Sequence, residues 1–119
     1  MKFLIHITTG YENPSKAALG FLIAKTAAEE GHEVTLFLAA DASVLVRSAV
    51  AENLVGIGTG ALKSHLEALS AKGVPIFVSG LSAKSRGMTA PDEALVPVQF
   101  ALPPELVRLT AEADRVLCY

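Results

Sequence analysis

The sequence predicts an α/β fold: a three-layer α/β/α domain, doubly wound, on a mainly parallel five-stranded sheet. Three observations support this. Short apolar, β-branched runs alternate with longer helix-like segments, the pattern of βαβ units. Glycines and prolines fall between those runs, where turns and helix ends need them. Hydrophobic residues make up 51% of the 119 and charged residues only 18%, which suits one compact core and excludes a disordered chain.

Taken in order, Phe3 to Thr8 reads as a buried strand that ends before Gly10. Asn13-Pro14 then starts a helix, with Asn13 as N-cap and Pro14 at the first helical position, where its missing N–H costs nothing. The helix runs to about Glu30, and Gly31 stops it. Ala17, Phe21, Ala24 and Ala28 form one apolar stripe, and Leu19 and Ile23 form another. Such a helix needs the sheet on one side and a neighbouring helix or subunit on the other. Glu33 to Leu38 is the second strand. Asp41 to about Ala49 reads as helix with Asp41 as its cap. Gly56, Gly58 and Gly60 break the chain before a third helix, in which Leu62, Leu66 and Leu69 share a face. Gly73 stops that helix, and Val74 to Val78 is the third strand. Ser79 to Gly87 reads as a polar loop, and Val96 to Phe100 as a fourth strand. Pro103-Pro104 opens a last helix through about Ala113, and Arg115 to Cys118 is the final strand. No repeat or linker interrupts this order, so residues 1–119 read as one domain.

The formal charge of -2 leaves no basic footprint, which argues against a nucleic-acid partner. One cysteine, Cys118, cannot form an internal disulfide, and no Cys/His spacing suggests a metal centre. The opening apolar stretch breaks at His6, too short for a signal peptide, and no run approaches a membrane span. The expected location is the cytoplasm, and no cofactor is expected.

In open α/β sheets, ligands bind outside the carboxyl ends of the strands. Three segments qualify: Thr8 to Asn13, Ala39 to Asp41, and Ser79 to Gly87. The third holds three hydroxyls, two cations and two glycines in nine residues, a composition that suits an anion. The same composition also suits serines that cap a short helix while the cations face water. Other patterns point elsewhere. Gly56, Gly58 and Gly60 do not follow a strand and lack dinucleotide-binding spacing. Gly80-Leu81-Ser82-Ala83-Lys84 has Lys84 where a nucleophile elbow needs glycine. His6 reads as a hydrogen-bonded structural histidine, His32 as an exposed turn residue, and His65 as lying on the polar side of its helix. Tyr11 reads as a residue that covers a pocket or packs. Cys118, inside the last strand, reads as a small buried hydrophobe.

Three stretches together resemble the DsrE/DsrF-like family, which includes the sulfur-relay subunit TusD. They are the opening strand ending in Thr8-Thr9-Gly10, the run Gly31-His32-Glu33-Val34-Thr35-Leu36-Phe37, and the run from Gly73 to Gly87 with Val78-Ser79-Gly80-Leu81-Ser82 at its centre. The ending Ala113-Asp114-Arg115-Val116-Leu117 also fits. The resemblance implies a homo-oligomer, a trimer or hexamer. It also implies a sulfur-carrying cysteine directly after the third strand, at position 79. This sequence has Ser79, and a hydroxyl cannot form a persulfide.

The leading expectation is therefore a non-catalytic, oligomeric DsrE-like protein. It would bind a small anion or a protein partner, with Thr9, Ser79, Gly80, Ser82, Lys84 and Arg86 as contacts. A second reading is a sulfur-relay protein that passes sulfur through Cys118 to a partner. A third, a serine hydrolase using Ser79 or Ser82, lacks any identifiable base-and-orienter pair.

Overall fold

The computed structural model describes residues 1–119. Strand β1 (Lys2–Ile7) is followed by helix α1 (Pro14–Glu29) and strand β2 (Glu33–Leu38). A 3₁₀ turn over Ala40–Val44 and a single helical turn, α2 (Ser48–Ala51), come next. A small antiparallel hairpin, β3 (Val55–Gly56) and β4 (Gly60–Ala61), leads into α3 (Leu62–Ala71). Then follow β5 (Ile76–Ser79), α4 (Gly80–Ser85), a 3₁₀ turn at Pro91–Glu93, β6 (Gln99–Ala101), α5 (Pro103–Glu112) and β7 (Arg115–Cys118).

The main sheet has five strands in the order β6-β5-β2-β1-β7, and every pairing is parallel. The chain steps outward from β1 to one edge, then crosses back over α5 to place β7 at the other. Residues alternate between the two faces. Ile5, Ile7, Leu36, Leu38, Ile76 and Val78 point into the larger core, where they meet Ala17, Phe21 and Ala24 of α1 and Leu62, Leu66 and Leu69 of α3. Leu4, Phe37 and Ala101 point the other way and pack under Leu106, Leu109 and Ala113 of α5 and its end. Gly20 lets α1 lie close on β1, because an added Cβ would sit 2.7 Å from Ile7 Cδ1.

Local signals placed most of these elements. Asn13 caps α1 by accepting the Lys16 N–H at 3.2 Å, and Pro14 opens the helix. Three readings need correction. The segment from Asp41 to Ala49 is not one helix: it splits into the 3₁₀ turn and α2, and Ala39 rather than Asp41 sits at the cap position. The break falls at the Leu45-Val46-Arg47 run, where β-branched Val46 is fully buried and its carbonyl accepts the N–H of Leu95 from a distant part of the same chain. The segment from Ser79 to Gly87 is mostly helix α4, with Ser79 as its cap. His65 is buried (5% exposed) instead of facing solvent, because the hairpin folds over it and Nε2 donates to the Thr59 carbonyl at 2.7 Å. Leu19 and Ile23 are half-buried, and Ile23 packs against the core within the chain.

His6 is also half-buried, edge-on to Phe37 at 6.0 Å, but its buried Nε2 has no hydrogen-bond partner. The expected hydrogen bond does not form, and the ring lies against Phe37 of β2 instead. Burial lowers its pKa below the usual 6.5. As pH falls through the unfolded value, the unfolded chain takes up a proton that the folded chain refuses. The unfolded state then binds more protons, so stability declines with pH until the lower folded value is passed. Thermal melts at about pH 7 and about pH 5.5 are expected to show a smaller loss in His6→Leu than in the wild type. Equal losses in both chains would remove His6 as the cause.

Candidate functional site

The carboxyl ends of β1, β2 and β5 converge with α4. The loop after β1 is held against the loop after β2. An added Cβ at Gly10 would lie 2.3 Å from the Asp41 carbonyl oxygen, so only glycine fits there. Ala40 adopts φ 51°, a left-handed backbone that costs an L-residue roughly 1–2 kcal/mol. Its N–H donates to Ser82 Oγ at 3.0 Å, which ties the β2 loop to α4 and fixes the conformation.

Each serine of the predicted site is occupied structurally. Ser79 Oγ accepts the Ser82 N–H at 3.2 Å as the cap of α4. Ser82 Oγ accepts from Ala40, and Ser85 Oγ donates to the Ser82 carbonyl at 3.0 Å. Neither Ser79 nor Ser82 is hydrogen-bonded to a histidine or a carboxylate, so no activated nucleophile is assembled.

The two cations of this segment part company. A helical turn separates positions two apart by about 200°, and Lys84 and Arg86 accordingly face different clefts. Lys84 and Gly80 line a groove along the β6 edge with Phe77, Leu81, Phe100 and Leu102. Arg86 lines a cleft of about 390 Å³ with Tyr11, Glu12, Asp41, Val44, Arg47 and Val50. Thr9 lines neither. Of the six contacts expected from sequence, therefore, only Arg86 enters the cleft at the strand ends.

Arg86 donates to Asp41 Oδ1 from Nε at 3.3 Å and from Nη2 at 3.0 Å, while Nη1 holds the Ser82 carbonyl at 3.1 Å. Both partners are partly exposed, so this pair is worth only about 0–1 kcal/mol. Asp41 is thus an ion-pair partner, not a helix cap. Arg47 is the residue that sequence reasoning missed. It follows the 3₁₀ turn, and Nη2 reaches both the Gly87 carbonyl and Glu93 Oε1 at 3.3 Å. Its one sequence signal is a lone cation directly after the apolar run Val44-Leu45-Val46. Glu93 accepts N–H groups from Ala90 and Thr89, and these bonds, with the Arg47 charge, hold its carboxyl below the usual range. Tyr11 is exposed at the mouth of the cleft.

Cys118 is exposed on the edge strand β7, opposite to its reading as a buried hydrophobe. An edge strand has one neighbour, here β1, and its other side is open. Its register partner on β1 is His6. No group of histidine, cysteine or acidic residues forms a metal-binding cluster. No helix is long and apolar enough to cross a membrane.

Comparison with known proteins agrees with this architecture. Residues 1–119 match the family model described as the DsrE/DsrF-like family. Among solved structures, the chain is similar to the crystal structure of the YchN protein from E. coli. The TM-score is 0.78, sequence identity is 25%, and the match covers 100% of each chain. The search of curated proteins returns no match.

Proposed function

The chain belongs to the DsrE/DsrF-like family, and on that premise we propose that it is a non-catalytic, cytoplasmic, oligomeric member that binds a small anion at the carboxyl end of its sheet. The observation behind this reading is at position 79. The family resemblance puts a sulfur-carrying cysteine there, whereas Ser79 spends its oxygen capping α4. What persists beside it is a cleft with two guanidinium groups, Arg47 and Arg86, which suit anion recognition better than any other chemistry present.

The test is calorimetric titration with inorganic phosphate at low ionic strength. The wild type is expected to bind. Arg86→Ala is expected to bind about tenfold more weakly or worse, since a hydrogen bond to a charged group is worth about 1.5–3 kcal/mol. A wild type without measurable heat, or an Arg86→Ala chain that binds as well, would end the anion reading.

One observation favours a second reading. Cys118 is exposed, so a sulfur-relay role through that thiol, with a partner protein as acceptor, stays physically accessible. It is weaker because Cys118 lies on a strand of the sheet, not on a mobile arm.

A further inference from the structure

We infer that the Arg47–Arg86 cleft receives a small organic molecule through a terminal tetrahedral oxyanion of the phosphate or sulfonate type, and that Asp41 competes with that group for Arg86. This rests on the anion-binding reading above and names its ligand class and its internal competitor.

Size is the first argument. At ~30 Å³ per water, a cleft of about 390 Å³ holds roughly a dozen waters, far more than a bare oxyanion displaces. It falls at the lower end of the range typical of small-molecule sites. The lining is divided to match such a molecule. Arg47 and Arg86 supply charge at one part, while Val44, Val50 and the Tyr11 ring supply apolar and aromatic surface.

Donor accounting is the second argument. Arg47 commits only Nη2, in two long bonds of 3.3 Å, and its Nε and Nη1 donate to no protein group. Arg86 directs Nε and Nη2 together onto one carboxylate oxygen of Asp41. Both bonds converge on a single oxygen, so the Nε–Nη2 edge, the edge that can take an oxyanion, is turned to Asp41. Asp41 therefore marks where an anionic oxygen sits against Arg86.

The acidic groups decide the competitor. Two carboxylates line the cleft, Glu12 and Asp41, and they balance the two arginines. Glu12 is turned onto its own loop, where Oε2 accepts the Gly10 N–H at 3.1 Å. Asp41 has no bond other than the one to Arg86, and its side chain is 61% exposed. An exposed pair of this kind is easily broken. Displacing Asp41 frees Nε and Nη2 of Arg86 for the ligand, beside Nε and Nη1 of Arg47, whose Nη2 stays on Gly87 and Glu93, while Glu12 is still held by its loop.

The experiment titrates the full chain with inorganic phosphate and, separately, with phenyl phosphate. The wild type should bind phenyl phosphate several-fold more tightly than inorganic phosphate. Asp41→Asn, and Asp41→Ser as a second variant, should bind both probes about five- to tenfold more tightly than the wild type. Val44→Ser should weaken phenyl phosphate alone. If the wild type binds but neither Asp41 variant gains affinity, the competitor role is wrong while anion binding stands. Equal affinity for the two probes overturns the organic-ligand class. Absence of binding in the wild type removes the anion reading itself, and this inference with it.

Discussion

Ser79→Cys is expected to create a thiol with a pKa about one unit below the ordinary ~8.5, and to label rapidly in the native protein. The geometry gives the reason. The side chain at position 79 is the cap of α4 and already accepts the Ser82 N–H. A thiolate there would accept the same bond and face the positive end of the helix, and both effects favour the charged form. The position is only half-buried, so desolvation opposes the shift weakly. The wild type, whose single thiol is Cys118, is the control for the titration and for labelling. A pKa at 79 that stays ordinary or rises would mean the cap site is not electropositive. A persulfide recovered on Cys118 of the wild type would instead favour sulfur relay through that residue. The wild type reports on Cys118 alone, so the two outcomes are independent.

Light scattering at micromolar concentration should give a mass of three or six chains of 12.4 kDa, and Leu81→Asp with Leu102→Asp should reduce it to one. The low charged fraction already leaves little polar surface to cover a monomer. The sequence pointed to the second stripe of α1 as the contact, but Leu19 and Ile23 are half-buried within the chain. Apolar side chains left in solvent occur on several faces, Ile57 and Val107 among them, but two of them adjoin one apolar groove. Leu81 is 61% exposed and Leu102 59%, and together they rim the groove along the β6 edge with Phe77, Phe100 and Pro104. β6 is an edge strand, whose outer backbone groups have no strand partner. Placing two carboxylates there would bury unpaired charge in any contact made through that groove. A wild-type mass of one chain, unchanged by concentration, would end the oligomer reading. An oligomer that survives both substitutions would place the contact on another face.

Much of the fold was legible along the chain because its signals are local. The β-branched runs at Phe3, Glu33 and Arg115, the Asn13-Pro14 start of α1 and the Pro103-Pro104 start of α5 each act within a few residues. The boundary errors fall where tertiary packing overrode propensity. Leu45 and Val46 were pulled into the core and split a helix, and the Gly56–Gly60 stretch became a hairpin tied to α1 through Ser15 and Thr59. The site divides in the same way. Sequence located the strand-end segment from 79 to 87 and the missing thiol, because those depend on order along the chain. It could not say that Arg86 would meet Asp41 across 45 positions and Lys84 would not, or that Arg47 would join them. Those meetings follow from the turn of α4 and from a strand order that sets β2 beside β5. The exposure of Cys118 has the same origin: β7 reads like any buried strand, and only the crossover through α5 puts it at the edge of the sheet. Periodicity encodes which face of an element is apolar, whereas its neighbours are set by the free energy of packing the whole chain.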